Sequence, residues 1–132
     1  MKTVNLIIIY YMKQKIQLLV IIPARAKSKK IKNKNIRRLG GYPLIAYSIQ
    51  AAKVISERNK VIHLSTDSKK ILNISKKYYN FTNDLRPKNF SSDYSLDLEF
   101  LNHTLKLYKK KNFFFKFFLI LKTTNPIKNK NK

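Results

Sequence analysis

Cysteine is absent from this sequence of 132 residues, and acidic residues are scarce. The lack of cysteine excludes a disulfide framework and a cysteine-based zinc site. Six Asp and Glu stand against 29 Lys and Arg, which gives a formal net charge of +23. All six carboxylates lie between positions 57 and 99, so the first 56 residues and the last 33 carry none.

Two explanations of this charge remain open. A polyanionic partner such as nucleic acid pairs with Lys and Arg through its phosphates. Alternatively, the joint abundance of Lys, Asn, Ile, Phe and Tyr reflects drift in an AT-rich genome, because the lysines are scattered through helices and loops rather than gathered in one motif.

Long hydrophobic runs are also missing. The apolar run after Asn5 covers six residues, far short of the roughly 20 of a membrane span, and no small-residue cleavage site of a secretory signal follows it. The sequence therefore predicts a cytoplasmic protein with no membrane partner. We divide it into an extension over residues 1–15, in which Met12 offers an alternative start, one domain over 16–128 and a basic tail over 129–132.

The remaining pattern alternates between strands and helices. Apolar runs predict strands at 17–22, where Pro23 should stop the ladder, at 61–64, and at 113–121, which is apolar except for Lys116. A short extended piece predicts a further strand at 80–82. Helical spacing predicts three helices. The first covers 43–56, the second follows Asp67 as its N-cap, and the third is opened by residues 91–93. This order predicts an α/β fold, a Rossmann-like, mostly parallel sheet with flanking helices, incomplete at its C-terminus.

A dense basic loop follows the first predicted strand. Eight Lys or Arg residues lie between Arg25 and Arg38, with no carboxylate among them. Arg25 could bridge phosphate oxygens in a bidentate manner, and Lys29 could act as a point charge. The loop matches neither GxxxxGK[ST] nor GxGxxG, so a solvated charge run is the alternative. In open α/β sheets ligands collect beyond the carboxyl ends of strands, where loops 23–35, 65–67 and 122–128 would meet.

Five motifs in register resemble one family. The stretch IIPARAKSKKIKNKN followed by GGYPLIAYSI resembles the opening pattern IIPARxGSKxxxxKN and GxPLIxYSI of the acylneuraminate cytidylyltransferases, also called CMP-sialic acid synthetases. Three further stretches resemble later motifs of that family in the right order, namely VIHLSTDS, LRPKNFSSD and LILKTTNPIK. The resemblance covers residues 16–128.

The resemblance implies a nucleotide-diphospho-sugar transferase-like fold. It also implies transfer of CMP from CTP to an acidic nine-carbon sugar, with Mg²⁺ as cofactor and pyrophosphate as the second product. Pseudaminic and legionaminic acids fit as well as sialic acid, and a homodimer is possible. By matching position, the resemblance assigns catalysis to Arg25 and Lys34. Nucleotide binding falls to Arg25, Ser28, Lys29, Lys34, Asn35, Arg86 and Asp93, and sugar binding to Lys122, Thr124 and Asn125.

The sequence departs from the family pattern at informative places. A small or glycine pair of the family is replaced by Ala26-Lys27, which affects a backbone phosphate cradle if that turn needs positive φ. The LLQPTSPLR motif has Lys122, Thr123, Asn125 and Lys128 in place of Gln, Pro, Ser and Arg. The family's metal-binding aspartates lie in a second half that has no counterpart here. We therefore expect a truncated member, weakly active or inactive alone, with a decayed or nucleic-acid-binding protein as the alternative.

Overall fold

The computed structural model describes residues 18–26, 33–87 and 97–123. Three parallel strands form the sheet in the order β4-β1-β5. The central strand β1 spans Leu18–Pro23, and its neighbours are β4, Lys60–Ser65, and β5, Phe117–Ile120. Strand β1 is a continuous apolar run because side chains of a core pack on each of its two faces, and Leu19 to Ile22 are fully buried. The predicted α/β architecture with a parallel sheet is confirmed.

Alternate residues of β1 supply two separate cores. Val20 and Ile22 pack with helices α1, Leu44–Lys53, and α2, Lys69–Ser75, on one face of the sheet. Leu19 and Ile21 pack on the other face against helix α3, Asp97–Lys110. The period of two along a strand sends successive side chains to opposite faces, so one short strand anchors helices on both sides.

The sequence predicted that Pro23 would stop the ladder of hydrogen bonds after residue 22, but the pairing with β4 continues through Pro23. It is the last residue of β1 and pairs with Ser65 of β4. The N–H of Ala24 then donates to the Ser65 carbonyl at 2.9 Å. Proline lacks only its own donor, so the following residue can continue the hydrogen bonding along the strand end.

A tight hairpin leads from the basic region into α1. Strands β2, Arg38–Leu39, and β3, Tyr42–Pro43, flank Gly40 and Gly41, whose φ angles are +60° and +87°. A Cβ on Gly40 would lie 3.0 Å from the Tyr47 hydroxyl, so glycine is needed there both for its φ and for space.

Helix α1 is shorter than the predicted range 43–56. Pro43 is the extended residue just before it, and the Leu44 N–H donates to the Arg37 carbonyl at 2.9 Å. At the other end, Lys60 Nζ donates to the Lys53 carbonyl at 3.0 Å. These two contacts satisfy groups that a helix leaves unpaired at its termini, and they set where α1 begins and ends.

The segment after α2 is not the short strand predicted over 80–82. Phe81 is buried in the α1–α2 core, but no residue of 80–82 belongs to either described sheet. Single hydrogen bonds attach this segment to the end of β4: Asn83 Nδ2 donates to the Leu64 carbonyl at 2.9 Å, and the Arg86 N–H donates to the Thr66 carbonyl at 2.7 Å. An apolar residue here marks core packing rather than strand pairing.

The 4-3-4-3 spacing of apolar residues predicts for helix α3 a buried stripe of Tyr94, Leu98, Leu101, Leu105 and Tyr108. Leu101 is buried, and Leu105 and Tyr108 pack against the same core, together with Phe100, which the predicted stripe did not include. The predicted opening at 91–93 and the side chains of Tyr94 and Leu98 lie outside the described residues. Lys109 and Lys110 in the last turn suit the negative end of the helix dipole.

Strand β5 is an exposed apolar edge, and it is shorter than the predicted 113–121. It pairs with β1 on one side only within the described residues. Phe117 and Phe118 are 58% and 54% exposed. Such an edge is a template for pairing with another chain.

We predict that Phe118→Lys will reduce concentration-dependent self-association in sedimentation velocity experiments, because a charge on an open edge strand disfavours strand pairing. The free energy of unfolding should change by less than about 0.5 kcal/mol, as is usual for exposed positions. Tyr42→Lys in β3, which replaces another exposed aromatic residue, is the control and should leave self-association unchanged. Equal self-association of all three proteins would refute a role for β5.

Candidate functional site at the carboxyl edge of β1 and β4

Polar and charged side chains gather where β1 and β4 end. These strands are parallel and adjacent, so the residues after Pro23 and after Ser65 emerge side by side at one edge of the sheet. Ligands of open α/β sheets bind at this edge. Arg25 and Asp67 follow these two strands, and the Arg86 N–H donates to the Thr66 carbonyl at 2.7 Å, so all three residues lie at this edge. The charges of Asp67 and Arg25 both affect the pKa of Arg86.

The peptide unit between Arg25 and Ala26 is hydrogen-bonded at both of its polar atoms. Asn35 Nδ2 donates to the Arg25 carbonyl at 2.9 Å. The Ala26 N–H donates to Asp67 Oδ1 at 2.7 Å. Asn35 is buried within a short 3-10 turn, Lys34–Ile36, which brings the start and the end of the basic region together.

The sequence predicted Asp67 as the N-cap of α2, and this prediction is wrong. Ser68 holds that position, and its Oγ accepts from the Ile71 N–H at 3.2 Å. A serine can supply this acceptor as well as an aspartate can. The Asp67 carboxylate is therefore available to contact the chain after β1 instead.

Arg86 is a buried cation at the same edge. It is 6% exposed, and its guanidinium lies 5.6 Å from the centre of the Phe100 ring. Burial lowers the pKa of Arg86, the nearby Asp67 raises it, and the nearby Arg25 lowers it. Arginine nevertheless stays protonated in proteins, so this edge combines two guanidinium groups with one carboxylate. The balance is positive and suits an anion such as phosphate.

Two hydroxyl groups close to the strand ends are buried and, within the part of the chain that the structure describes, make no hydrogen bond. They are Oγ of Ser65, the last residue of β4, and Oγ1 of Thr123, which follows β5. Buried hydroxyl groups normally have a partner, so these two are candidates for contact with a ligand. No role was predicted for Thr123 from the sequence, because it stands where the resembled motif has a proline.

The structure places some of the predicted site residues and leaves others undescribed. Lys34 is half-buried in the 3-10 turn, and Lys122 is exposed just beyond β5. The loop residues Arg25 and Asn35 are in contact, and Arg86 is close to Arg25. The other predicted site residues lie outside the described part of the chain, namely Ser28, Lys29, Asp93, Thr124 and Asn125.

The described residues do not form a metal site. Across 18–26, 33–87 and 97–123, no three His, Asp or Glu side chains lie together as ligands for a metal ion. The Asp67 carboxylate already accepts the Ala26 N–H and lies near the Arg86 cation, which is a poor setting for a metal cation. The Mg²⁺ expected from the resemblance is therefore given no ligands here.

His63 forms a second polar pair, within the sheet–helix core. It lies on β4, is 3% exposed, and its Nδ1 is 2.9 Å from the Tyr108 hydroxyl of α3. Burial, followed by the charges of His103, Lys111 and Arg86, lowers the pKa of His63 to about 4. Burial raises the pKa of Tyr108 to about 12, so the pair is neutral near pH 7.

From the lowered pKa of His63 we predict that the folded protein loses stability as the pH is lowered. In the unfolded chain His63 takes up a proton near its ordinary pKa of about 6.5, whereas the folded protein resists protonation down to about pH 4. The free energy of unfolding should therefore drop by roughly 2 kcal/mol between pH 7 and pH 5. Urea denaturation at both pH values measures the drop, and His63→Phe should largely remove it. A variant that keeps the whole pH dependence would contradict this assignment.

No helix within the described ranges is long and apolar enough to cross a membrane.

Comparisons with known proteins agree on one family. A family model described as cytidylyltransferase matches residues 19–118. The chain is 35% identical over 113 residues to the pseudaminic acid cytidylyltransferase of Campylobacter jejuni, covering 86% of this chain and 48% of that protein. It is also 35% identical over 112 residues to the CMP-N,N'-diacetyllegionaminic acid synthase of Legionella pneumophila, covering 85% of this chain and 48% of the relative.

Two more matches extend the comparison. The N-acylneuraminate cytidylyltransferase of Escherichia coli is 35% identical over 114 residues, which cover 86% of this chain and 26% of that protein. A solved structure of CMP:2-keto-3-deoxy-manno-octonic acid synthetase complexed with CTP shares the fold with a TM-score of 0.63 at 14% identity, covering 85% of this chain and 42% of that one. The chain thus spans about half the length of the first two relatives.

The family match over 19–118 includes both strand ends that carry Arg25 and Asp67. The match to a solved structure supports the parallel α/β fold independently of sequence identity. This chain belongs to the cytidylyltransferase family.

Proposed function

We propose that this chain binds CTP at the carboxyl edge of β1 and β4. In this proposal it is the nucleotide-binding part of an enzyme that transfers CMP to an acidic nonulosonic sugar in the cytoplasm. The observation that carries the proposal is that Arg25, which follows β1, and Arg86, whose N–H donates to the Thr66 carbonyl beyond β4, lie at the same edge in a chain of the cytidylyltransferase family. Guanidinium groups bind phosphate oxygens through paired, charge-assisted hydrogen bonds.

The proposed reaction is a displacement at the α-phosphorus of CTP. The anomeric oxygen of the sugar forms a bond to that phosphorus and loses its proton, and the bond to the β-phosphate oxygen breaks and releases pyrophosphate. Arg25 and Lys34 would neutralise phosphate charge, so their contribution is positioning and electrostatic stabilisation. The Arg25 side chain would bind the phosphates, and Arg86 would lie next to the base. Further nucleotide contacts would come from Ser28, Lys29, Asn35 and Asp93.

The sugar would lie beyond β5. Lys122 is exposed there and could pair with the carboxylate of an acidic sugar. We assign sugar binding also to Thr124 and Asn125, from the resembled motif. Relatives of this chain are named for pseudaminic, legionaminic and N-acylneuraminic acids. We propose a sugar of this class, with Mg²⁺ held outside the described residues and a homodimer as the assembly.

Calorimetric titration with CTP, ATP and pyrophosphate tests the proposal. CTP is expected to bind more tightly than the other two, because a cytidine site adds base contacts to the phosphate contacts. Equal affinity for all three would contradict a cytidylyltransferase site and indicate a general anion site. The comparisons give no support to the nucleic-acid alternative, so a filter-binding assay across a salt series should retain no RNA or DNA at moderate salt.

A further inference from the structure

A single peptide unit joins the basic loop to the rest of the site. The carbonyl of Arg25 accepts from Asn35, ten residues along the chain, and the N–H of Ala26 donates to Asp67, 41 residues along the chain. Both atoms belong to the same planar peptide group. The C=O and the N–H point away from opposite edges of this planar group. Hydrogen bonds to both of them therefore fix the rotation of the peptide group as well as its position.

This arrangement has a direct effect on Arg25. Its Cα is attached to the clamped peptide, so the start of the Arg25 side chain and the direction in which the chain continues toward residue 27 are both set by the clamp. The Ala26 N–H is occupied by a carboxylate and does not face a phosphate. Anion binding near β1 thus depends on correctly aimed side chains, more than on the Ala26 amide.

We propose that Asp67 is a positioning residue that aims Arg25 at the nucleotide phosphates by accepting the Ala26 N–H. The inference rests on the proposed function for the identity of the nucleotide. Asp67 itself carries a negative charge and would repel phosphate, so its benefit must come from the hydrogen bond. Asn35 holds the other side of the same peptide. Arg86 is a cation near the Asp67 carboxylate, which raises the pKa of Arg86.

Two substitutions separate the hydrogen bond from the charge. Asp67→Asn keeps an oxygen acceptor for the Ala26 N–H and removes the negative charge. Asp67→Ala removes both. The proposal therefore requires Asp67→Asn to rescue nucleotide binding, whereas a role for the negative charge requires both variants to fail.

Calorimetry on the full chain measures the difference. We expect Asp67→Ala to weaken CTP binding about tenfold and Asp67→Asn to bind within about twofold of the wild type, or more tightly. Glu57→Gln, which neutralises a carboxylate just before β4, at the opposite edge of the sheet, is the control and should leave the affinity unchanged. An Asp67→Asn variant as weak as Asp67→Ala, or an Asp67→Ala variant as tight as the wild type, would overturn the proposal.

Amide hydrogen exchange without nucleotide keeps this test separate from the proposed function. The Ala26 amide should be protected in the wild type and in Asp67→Asn, and should exchange at least about tenfold faster in Asp67→Ala, while the buried Leu19 amide of β1 stays unchanged. Should Asp67→Ala fail to fold, an unprotected Ala26 amide in the wild type would still refute the clamp. Failure of CTP to bind selectively, with Ala26 protected by Asp67, would refute the proposed function alone.

Discussion

Replacing Ile21 with alanine is expected to lower the free energy of unfolding by about 3–4 kcal/mol, because the substitution leaves a cavity at the centre of the sheet. Ile21 is 0% exposed, lies on the central strand and packs with Phe100 and Leu101 of α3. A small domain has a total stability of about 5–15 kcal/mol, so this loss would remove a large share of it.

Urea denaturation followed by circular dichroism measures the effect of this substitution. Val54→Ala is the matched control, because it also shortens an aliphatic side chain but at a position that is 67% exposed just after α1. Its effect should stay below about 0.5 kcal/mol. Similar losses for both variants would mean that the packing between β1 and α3 does not hold the fold together.

Replacing Arg25 with alanine is expected to weaken CTP binding by roughly 30- to 100-fold, because the variant loses charge-assisted hydrogen bonds worth about 2–3 kcal/mol. Arg25→Lys should lose about tenfold, since lysine keeps the charge but cannot make the bidentate contact. The fold should persist, because Arg25 is only half-buried and follows the end of β1.

Arg58→Ala is the control for Arg25→Ala, since it removes the same charge. Arg58 is exposed and precedes β4, so it lies at the opposite, amino edge of the sheet. Calorimetric titration should show little change in CTP affinity for Arg58→Ala at moderate salt. Equal losses in both variants would mean that net charge, and not the edge at β1 and β4, governs binding.

The sequence predicted the strands best where apolar runs are continuous. Residues 17–22 and 61–64 correspond to β1 and β4 within one residue at each end, because full burial leaves a run that no other element of that length produces. The run 113–121 was less informative: only Phe117–Ile120 pairs, since the length of an edge strand depends on how far its neighbour extends. Phe81 was misread for a related reason, as one buried aromatic does not distinguish a strand from a packed loop.

The site was predictable in its cations but not in its internal contacts. Basic residues after a strand predicted an anion site, and the family motifs assigned nucleotide binding to Arg25, Asn35 and Arg86, an assignment that stays a prediction. The hydrogen bond from the Ala26 N–H to Asp67 joins residues 41 positions apart, and no local pattern carries such information. Asp67 looked like a helix cap because Asp and Ser are both common caps, and two such residues stand in a row.

Chemical-shift mapping of the ¹⁵N-labelled protein with CTP shows directly where the nucleotide binds. We predict that the largest shifts fall on amides at the carboxyl edge of the sheet, at Ala24, Arg25, Asn35, Thr66 and Arg86. The lysine-rich end of α3, Lys106 and Lys109–Lys111, serves as an internal comparison, because it carries positive charge but lies away from that edge. Shifts confined to α3, or spread evenly over all basic regions, would contradict a CTP site at the end of β1 and β4.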